Sequence, residues 1–248
     1  MQHGSLRYVY HKEKKMKLIK LTERVMYYPY EKERDRPNLG YIRGDKLTIA
    51  IDAGHSREHT LEFYRAVENA GLPLPDITIL THWHWDHTFG MNAVHGMTIA
   101  NILTNAHLKD FTRLIEEKGK EEFLSLHESI RLEYADDKPV VINTADMVFS
   151  GEIIIDAGNC PIRAFQAESP HTDDSTLIFL PDEKVLFIGD STGGTFPTWE
   201  MDRTLSQKLA DTLSDTDADI CIEGHDEPCP KQEIIDYLRG IQISGQTD

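Results

Sequence analysis

The run ILTHWHWDHTFG, residues 79–90, constrains this chain more than any other feature. It places three histidines and an aspartate within the six positions 82–87, directly after the apolar stretch DITIL. A short apolar run with turn signals around it reads as a buried strand. If residues 81–85 stay extended, side chains alternate, so His82 and His84 point one way while Trp83 and Trp85 point the other. Two imidazoles then converge on one point, with the tryptophans expected as packing beneath the loop. Asp86 and His87 follow where DHTFGMNAV turns into a helix, a place where the dipole favours a carboxylate. They face a second point nearby. One segment thus offers two pairs of ligands, which suits two metal ions better than one.

Further ligands stand at the ends of later strand-like runs: His171 in AESPHTDDS, Asp190 in FIGDS and His225 in IEGHDE. Imidazole nitrogen and carboxylate oxygen are the usual zinc donors outside thiolate sites. His82, His84, His87, His171 and His225 with Asp86 and Asp190 would give each of two ions three protein ligands, provided Asp190 bridges. His55, His59, His95, His107 and His127 are expected to be surface or partly buried side chains without a metal role. His55 stands out among them because it follows the aspartate loop IDAG.

The rest of the chain frames this site. From Met16 onward, short apolar runs alternate with amphipathic segments, and no Pro/Gly/Ser-rich linker divides them. Residues 16–248 therefore read as one domain, and the polar, basic residues 1–15 as an arm outside it. KLIKLTERVMYYP, LGYIRG and KLTIAID read as successive strands, and HTLEFYRAVENAGLP as a helix stopped by Gly71 and Pro73. TIANILT reads as a strand, and residues 106–135 as a helical insert that Gly119 breaks in two. GEIIIDAGNCPIRAFQAE reads as a hairpin, STLIFLP, KVLFIGD and DICIEGH as strands, and DRTLSQKLADTL as a helix capped by Asp202. The echo of IAIDAG (49–54) in IIIDAG (153–158) points to two related halves, each a sheet with helices outside.

Charge and composition narrow the partners. Lysine plus arginine number 26 against 42 aspartate plus glutamate, a net charge of −16 with no basic run to track a phosphate backbone. Nucleic acid is disfavoured, and a small molecule is the expected substrate. No apolar run approaches the roughly 18 residues needed to span a bilayer. Cys160, Cys221 and Cys229 form neither an even disulfide set nor a CxxC pair, which suits a reducing, cytoplasmic setting.

The motif HWHWDH, with the later His171, Asp190 and His225 in order, resembles the HxHxDH signature of the metallo-β-lactamase superfamily, over about residues 39–225. The resemblance implies an α/β fold, a four-layer αββα sandwich of two related halves. It implies that His82, His84 and His171 hold a first metal, that Asp86, His87 and His225 hold a second, and that Asp190 lies between. It also matches Asp52, in IDAG, to a residue that braces the metal loop without binding metal. Two divalent ions are the implied cofactors, with zinc foremost and iron or manganese also suited to these donors.

Two departures from the family pattern bear on substrate. The third motif commonly reads Gly-His-Thr-Pro-Gly-Ser, whereas Pro170 and the pair Asp173 and Asp174 stand here in place of its first glycine and of its Pro-Gly. The fourth motif has Asp190 where zinc β-lactamases often use cysteine, which resembles the glyoxalase II, lactonase and phosphodiesterase side of the superfamily. The expected activity is hydrolysis of a small ester, thioester or lactone by a hydroxide bridging two ions. Asp86 is its candidate catalytic residue, orienting the nucleophile or moving a proton. The alternatives are a small phosphodiester as substrate, or a non-catalytic metal sensor. Phe111, Leu114, Phe123 and Leu126 of the insert are expected either to wall the substrate site or to form ordinary helix core, and STGGTFPTWE (191–200) to form a second lip.

Overall fold

The protein is described here by a computed structural model, which describes residues 16–241; the arm at 1–15 lies outside them. Two sheets carry the fold. The first runs in the order β1 to β7: Ile19–Lys20, Val25–Tyr28, Leu39–Arg43, Thr48–Ile51, Ile77–Ile79, Met97–Asn101 and Met147–Phe149. The first four strands pair antiparallel and the last four parallel, sharing β4. The second sheet is ordered β13-β12-β11-β10-β9-β8, formed by Glu152–Asp156 (β8), Pro161–Gln166 (β9), Thr176–Leu180 (β10), Val185–Gly189 (β11), Ile220–Glu223 (β12) and Cys229–Pro230 (β13). Each sheet comes from one half of the chain, giving the α/β sandwich that the motif implied.

Period-two alternation builds the layers. In β10 every residue is buried, because Ile178 and Leu180 face the core between the sheets while Leu177 and Phe179 face the outer helices. Such strands are covered on both faces and read as unbroken apolar runs. Ile49, Ile51, Ile79 and Ile99 from the first sheet meet Ile162, Ile178, Val185 and Phe187 from the second. Full burial of side chains of this size contributes about 1.5–3 kcal/mol each. Outside the second sheet lie α6 (Arg203–Asp215) and α7 (Lys231–Gly240), which supply Leu209, Leu213, Ile235 and Leu238. Outside the first lies α1 (Arg57–Asn69), whose Phe63, Tyr64 and Val67 cover Tyr41 and Ala50. The Asp202 carboxylate accepts from the Leu205 amide at 2.9 Å, capping α6 as expected.

Several boundaries differ from the sequence reading. The first strand is two, β1 and β2, separated by a turn in which the Leu21 and Thr22 amides both donate to the Val25 carbonyl. TIANILT stops being a strand at Asn101, whose side chain accepts from the Leu103 amide and starts α3 (Ile102–Lys118). The insert therefore begins four residues before 106, and it contains three helices rather than two. Beyond Gly119 come α4 (Lys120–Leu124) and α5 (Glu128–Glu133), the latter begun by the His127 ring accepting from the Ser129 amide. The short edge strand β7 carried no alternating signal strong enough to announce it. Among the described residues, no helix is long and apolar enough to cross a membrane.

Candidate metal centre

Every residue of the candidate centre sits at or beyond the C-terminal end of a strand. Asp52 follows β4, His82 and His84 follow β5, His171 follows β9, Asp190 follows β11 and His225 follows β12. Within their sheets β4 and β5 run parallel, as do β9, β11 and β12. One rim therefore collects loops from both sheets. The chain is not extended through Trp85, as the alternation argument assumed. His84 is the last extended residue, and Trp85–Thr88 forms a short helix, α2, that carries Asp86 and His87.

Two groups of ligand atoms result. His82, His84 and His171 form the first, and Asp86, His87, Asp190 and His225 form the second, the atoms of each lying within 4.8 Å of one another. In the first, His84 Nδ1 is 3.1 Å from His82 Nε2 and 2.9 Å from His171 Nε2. Three ring nitrogens crowding one point is an arrangement that a shared cation satisfies. In the second, His225 Nε2 donates to Asp86 Oδ2 at 2.9 Å and lies 3.3 Å from Asp190 Oδ2. His87 Nε2 lies 3.2 Å from Asp86 and 3.3 Å from Asp190 without an aligned hydrogen bond, and both His87 Nε2 and Asp190 Oδ1 are buried without a partner. Asp190 also reaches to 4.0 Å from His171 Nε2, so its carboxylate faces both groups. Buried polar atoms normally find partners, and these donors fit a divalent ion at each point.

The outer contacts fix which nitrogen is free. His87 Nδ1 donates to Asp52 Oδ2 at 2.7 Å, and His171 Nδ1 donates to the Gly194 carbonyl at 2.9 Å, so Nε2 of each faces the centre. Asp52 has a left-handed backbone, φ 64°, a conformation that for a residue other than glycine is held by its surroundings. Here the Thr81 amide donates to Asp52 Oδ1 at 2.8 Å, and the Thr81 hydroxyl contacts both Asp52 oxygens. Gly224 is required by proximity, since a Cβ there would meet Asp190 Oδ1 at 2.1 Å. Sequence reasoning missed Thr81, and it missed Asp35, whose carboxylate lies 3.6 Å from His225 Nδ1. Nothing local marks Asp35, which only folding brings beside a residue far along the chain.

Electrostatics separate the two groups. Burial, reinforced by neighbouring imidazoles, lowers His82 well below the ordinary histidine range and lowers His84 to about 3. Burial lowers His171 too. Burial also disfavours charge on His87 and His225, but Asp190 and Asp86 outweigh it and hold both well above the ordinary range. The carboxyls of Asp86 and Asp190, which burial would raise, are held well below theirs by the same two imidazoles. At neutral pH, then, the first group is already deprotonated, whereas the second must release protons before His87 and His225 can ligate. Metal affinity of the second group is expected to rise with pH across the neutral range and that of the first to stay nearly level, as measured by chelator competition at stepped pH. Without metal the sign reverses: the raised imidazoles stabilise the fold fully below about pH 6.5 and lose that contribution as pH rises through their folded values.

His55, His59 and Trp83 depart from the sequence reading. His55 and His59 are wholly buried rather than surface or partly buried, the His55 ring donating from Nδ1 to the Arg34 carbonyl at 2.9 Å. His107 approaches Asp173 at 2.6 Å at the surface. Trp85 is core, packed with Phe89, Phe111 and Phe123. Trp83 is not simply behind the loop: it lines a cavity of about 760 Å³ beside His84 and His171. Phe111 and Phe123 are buried core of the insert, so the wall falls instead to Trp83, Leu103, Phe196 and Leu205.

The metallo-beta-lactamase superfamily profile matches residues 34–225, and the chain belongs to that superfamily. Solved structures with the same fold include a metallo-beta-lactamase from Pontibacter korlensis, 18% identical with TM-score 0.62, the match covering 91% of this chain and 100% of that one. DIM-1 metallo-beta-lactamase is 21% identical with TM-score 0.63, covering 91% and 95%. A stereoselective inverting sec-alkylsulfatase from Pseudomonas sp. is 14% identical with TM-score 0.65, covering 90% of this chain and 40% of its own. Among curated proteins, none matches the sequence.

Proposed function

We propose that this chain is a dinuclear metal-dependent hydrolase of small esters, thioesters or lactones, on the aspartate-bearing glyoxalase II and lactonase side of the superfamily. The observation that carries the reading is the pair of donor groups, the first buried and the second partly so, with the Asp190 carboxylate facing both. His82, His84 and His171 would hold one ion and Asp86, His87 and His225 the other, with zinc the first candidate and Asp190 between them. Such ions supply Lewis acidity and make water a competent nucleophile at neutral pH.

The chain's own residues do the positioning. Asp52 holds His87 in one tautomer, and the Gly194 carbonyl does the same for His171. Outer partners of this kind orient metal ligands and raise their basicity. Asp86, set between His87 and His225 at the start of α2, can orient a water. The cavity of about 760 Å³ beside His84 is large enough for a small acyl group.

Asp52→Asn is expected to weaken metal binding in the second group by about 10–100-fold, with a smaller effect on the first. Chelator competition on the purified variant checks this, and unchanged affinity in the second group would remove Asp52 from its bracing role. The activity itself is tested by metal analysis of protein purified without added metal, then a screen across thioesters, lactones and phosphodiesters. Two equivalents of metal with no hydrolysis of any of them would favour the sensor alternative.

A further inference from the structure

Two cavities meet at His171, and their walls differ in chemistry. The larger, about 760 Å³, is walled by Trp83, Leu103, Phe196 and Leu205 on the side of His84. Its carboxylates are already paired, Asp173 with His107 and Glu168 with Lys208. The smaller, about 320 Å³, opens beside Asp190 and His225 and is walled by Thr192, Glu223, Asp226 and Trp199. Among the described residues neither Glu223 nor Asp226 forms an ion pair, and neither cavity is lined by lysine or arginine.

Trp199 sits on the divide. Its ring stacks on His171 at 6.1 Å and 24° and meets Phe196 edge-on at 5.6 Å. It is 52% exposed and has φ 57°, a conformation unusual for a bulky residue. The turn that carries it is closed by the Trp199 amide donating to the Thr195 carbonyl at 2.7 Å and the Thr195 amide donating to the Glu200 carbonyl at 3.0 Å. Glu223 accepts from the Thr192 hydroxyl, and an exposed indole beside two carboxylates that form no ion pair is a favourable environment for an organic cation, through the ring face and through charge.

Resting on the hydrolase reading, we propose that the larger cavity receives the apolar acyl part of the substrate and the smaller its leaving alcohol, and that Glu223 and Asp226 select a cationic alcohol over an anionic one. In the reaction, the oxygen of water bonds to the acyl carbon as the acyl carbon–oxygen ester bond breaks. The carboxylic acid is left in the larger cavity, and the alcohol, taking up a proton from the water, leaves from the smaller. The net charge of −16 favours approach of the same class of substrate.

Three butyrate esters test this on the metal-loaded protein: the choline ester, its neutral isostere the 3,3-dimethylbutyl ester, and the anionic 2-sulfoethyl ester. The choline ester is expected to exceed the neutral ester in kcat/KM by about tenfold, and the sulfoethyl ester by more, as two partly screened carboxylates require. Glu223→Gln and Asp226→Asn, singly and together and with metal content verified, are expected to bring the cation-to-neutral ratio toward one. Equal or faster cleavage of the sulfoethyl ester would overturn the proposal while leaving the hydrolase reading intact. If no ester is cleaved, calorimetry with choline against 3,3-dimethylbutanol decides: tighter choline binding that the two variants abolish keeps the acidic subsite and loses the hydrolase, and equal binding ends the proposal.

Discussion

His84→Ala is expected to abolish hydrolysis and to lower bound metal by one equivalent per chain. His84 Nδ1 is the atom that both His82 Nε2 and His171 Nε2 approach, at 3.1 and 2.9 Å. Its removal leaves two imidazoles in the first group, too few to hold an ion against solvent and chelators. Losing the Lewis acidity of one ion costs several kcal/mol of transition-state stabilisation, hence a fall of more than about 10³-fold in kcat/KM. Metal analysis alongside ester kinetics measures both effects, with circular dichroism to show that the variant is folded. A fully active, fully metallated variant would sink the assignment of the first group.

The largest expected effect on stability lies away from the metals. Arg36, 1% exposed, donates from Nε and Nη2 to the two carboxylate oxygens of Glu133, 0% exposed, each at 2.9 Å. The Ser56 hydroxyl donates to the same carboxylate. This pair ties α5 of the insert to the turn before β3, and the adjacent Tyr134 hydroxyl donates to the His55 carbonyl at 2.6 Å. Removing one partner of a buried ion pair costs about 3–5 kcal/mol, because the other charge is left uncompensated. Arg36 keeps Glu62 at 3.0 Å and Glu31 at 3.2 Å, which places Glu133→Gln near the lower end, about 3 kcal/mol. Urea unfolding measures it. A single-variant loss under about 1 kcal/mol would show that the pair contributes little.

These two sites differ in how far they could be read before folding. HWHWDH, His171, Asp190 and His225 were legible because metal chemistry demands imidazole and carboxylate at strand ends, and apolar runs mark those ends. Leu177 to Leu180 and Val185 to Ile188 announced their strands for the same kind of reason: covering both faces requires unbroken apolar residues. Nothing of the sort marked Arg36 and Glu133. Two charged residues nearly a hundred positions apart look solvent-exposed in a sequence, and only their burial against each other makes them structural. Phe111 and Phe123 stood between substrate wall and helix core, because helical spacing says that a face is covered but not by what; the fold makes them core.

The residue pattern alone therefore determined the superfamily, the two-layer strand plan and the candidate donor residues of the centre, since each follows from local periodicity or from ligand chemistry. Tertiary structure decided which nitrogen of His87 and of His171 faces inward, through Asp52 and the Gly194 carbonyl. It also moved Trp83 from support to cavity wall and set Trp199, Glu223 and Asp226 around the second group. Tautomers, cavity walls and the placement of charges without an ion pair depend on contacts between loops distant in the chain. Such contacts leave no periodicity to read, so the candidate metal-ligand set was visible in the sequence and the shape offered to a substrate was not.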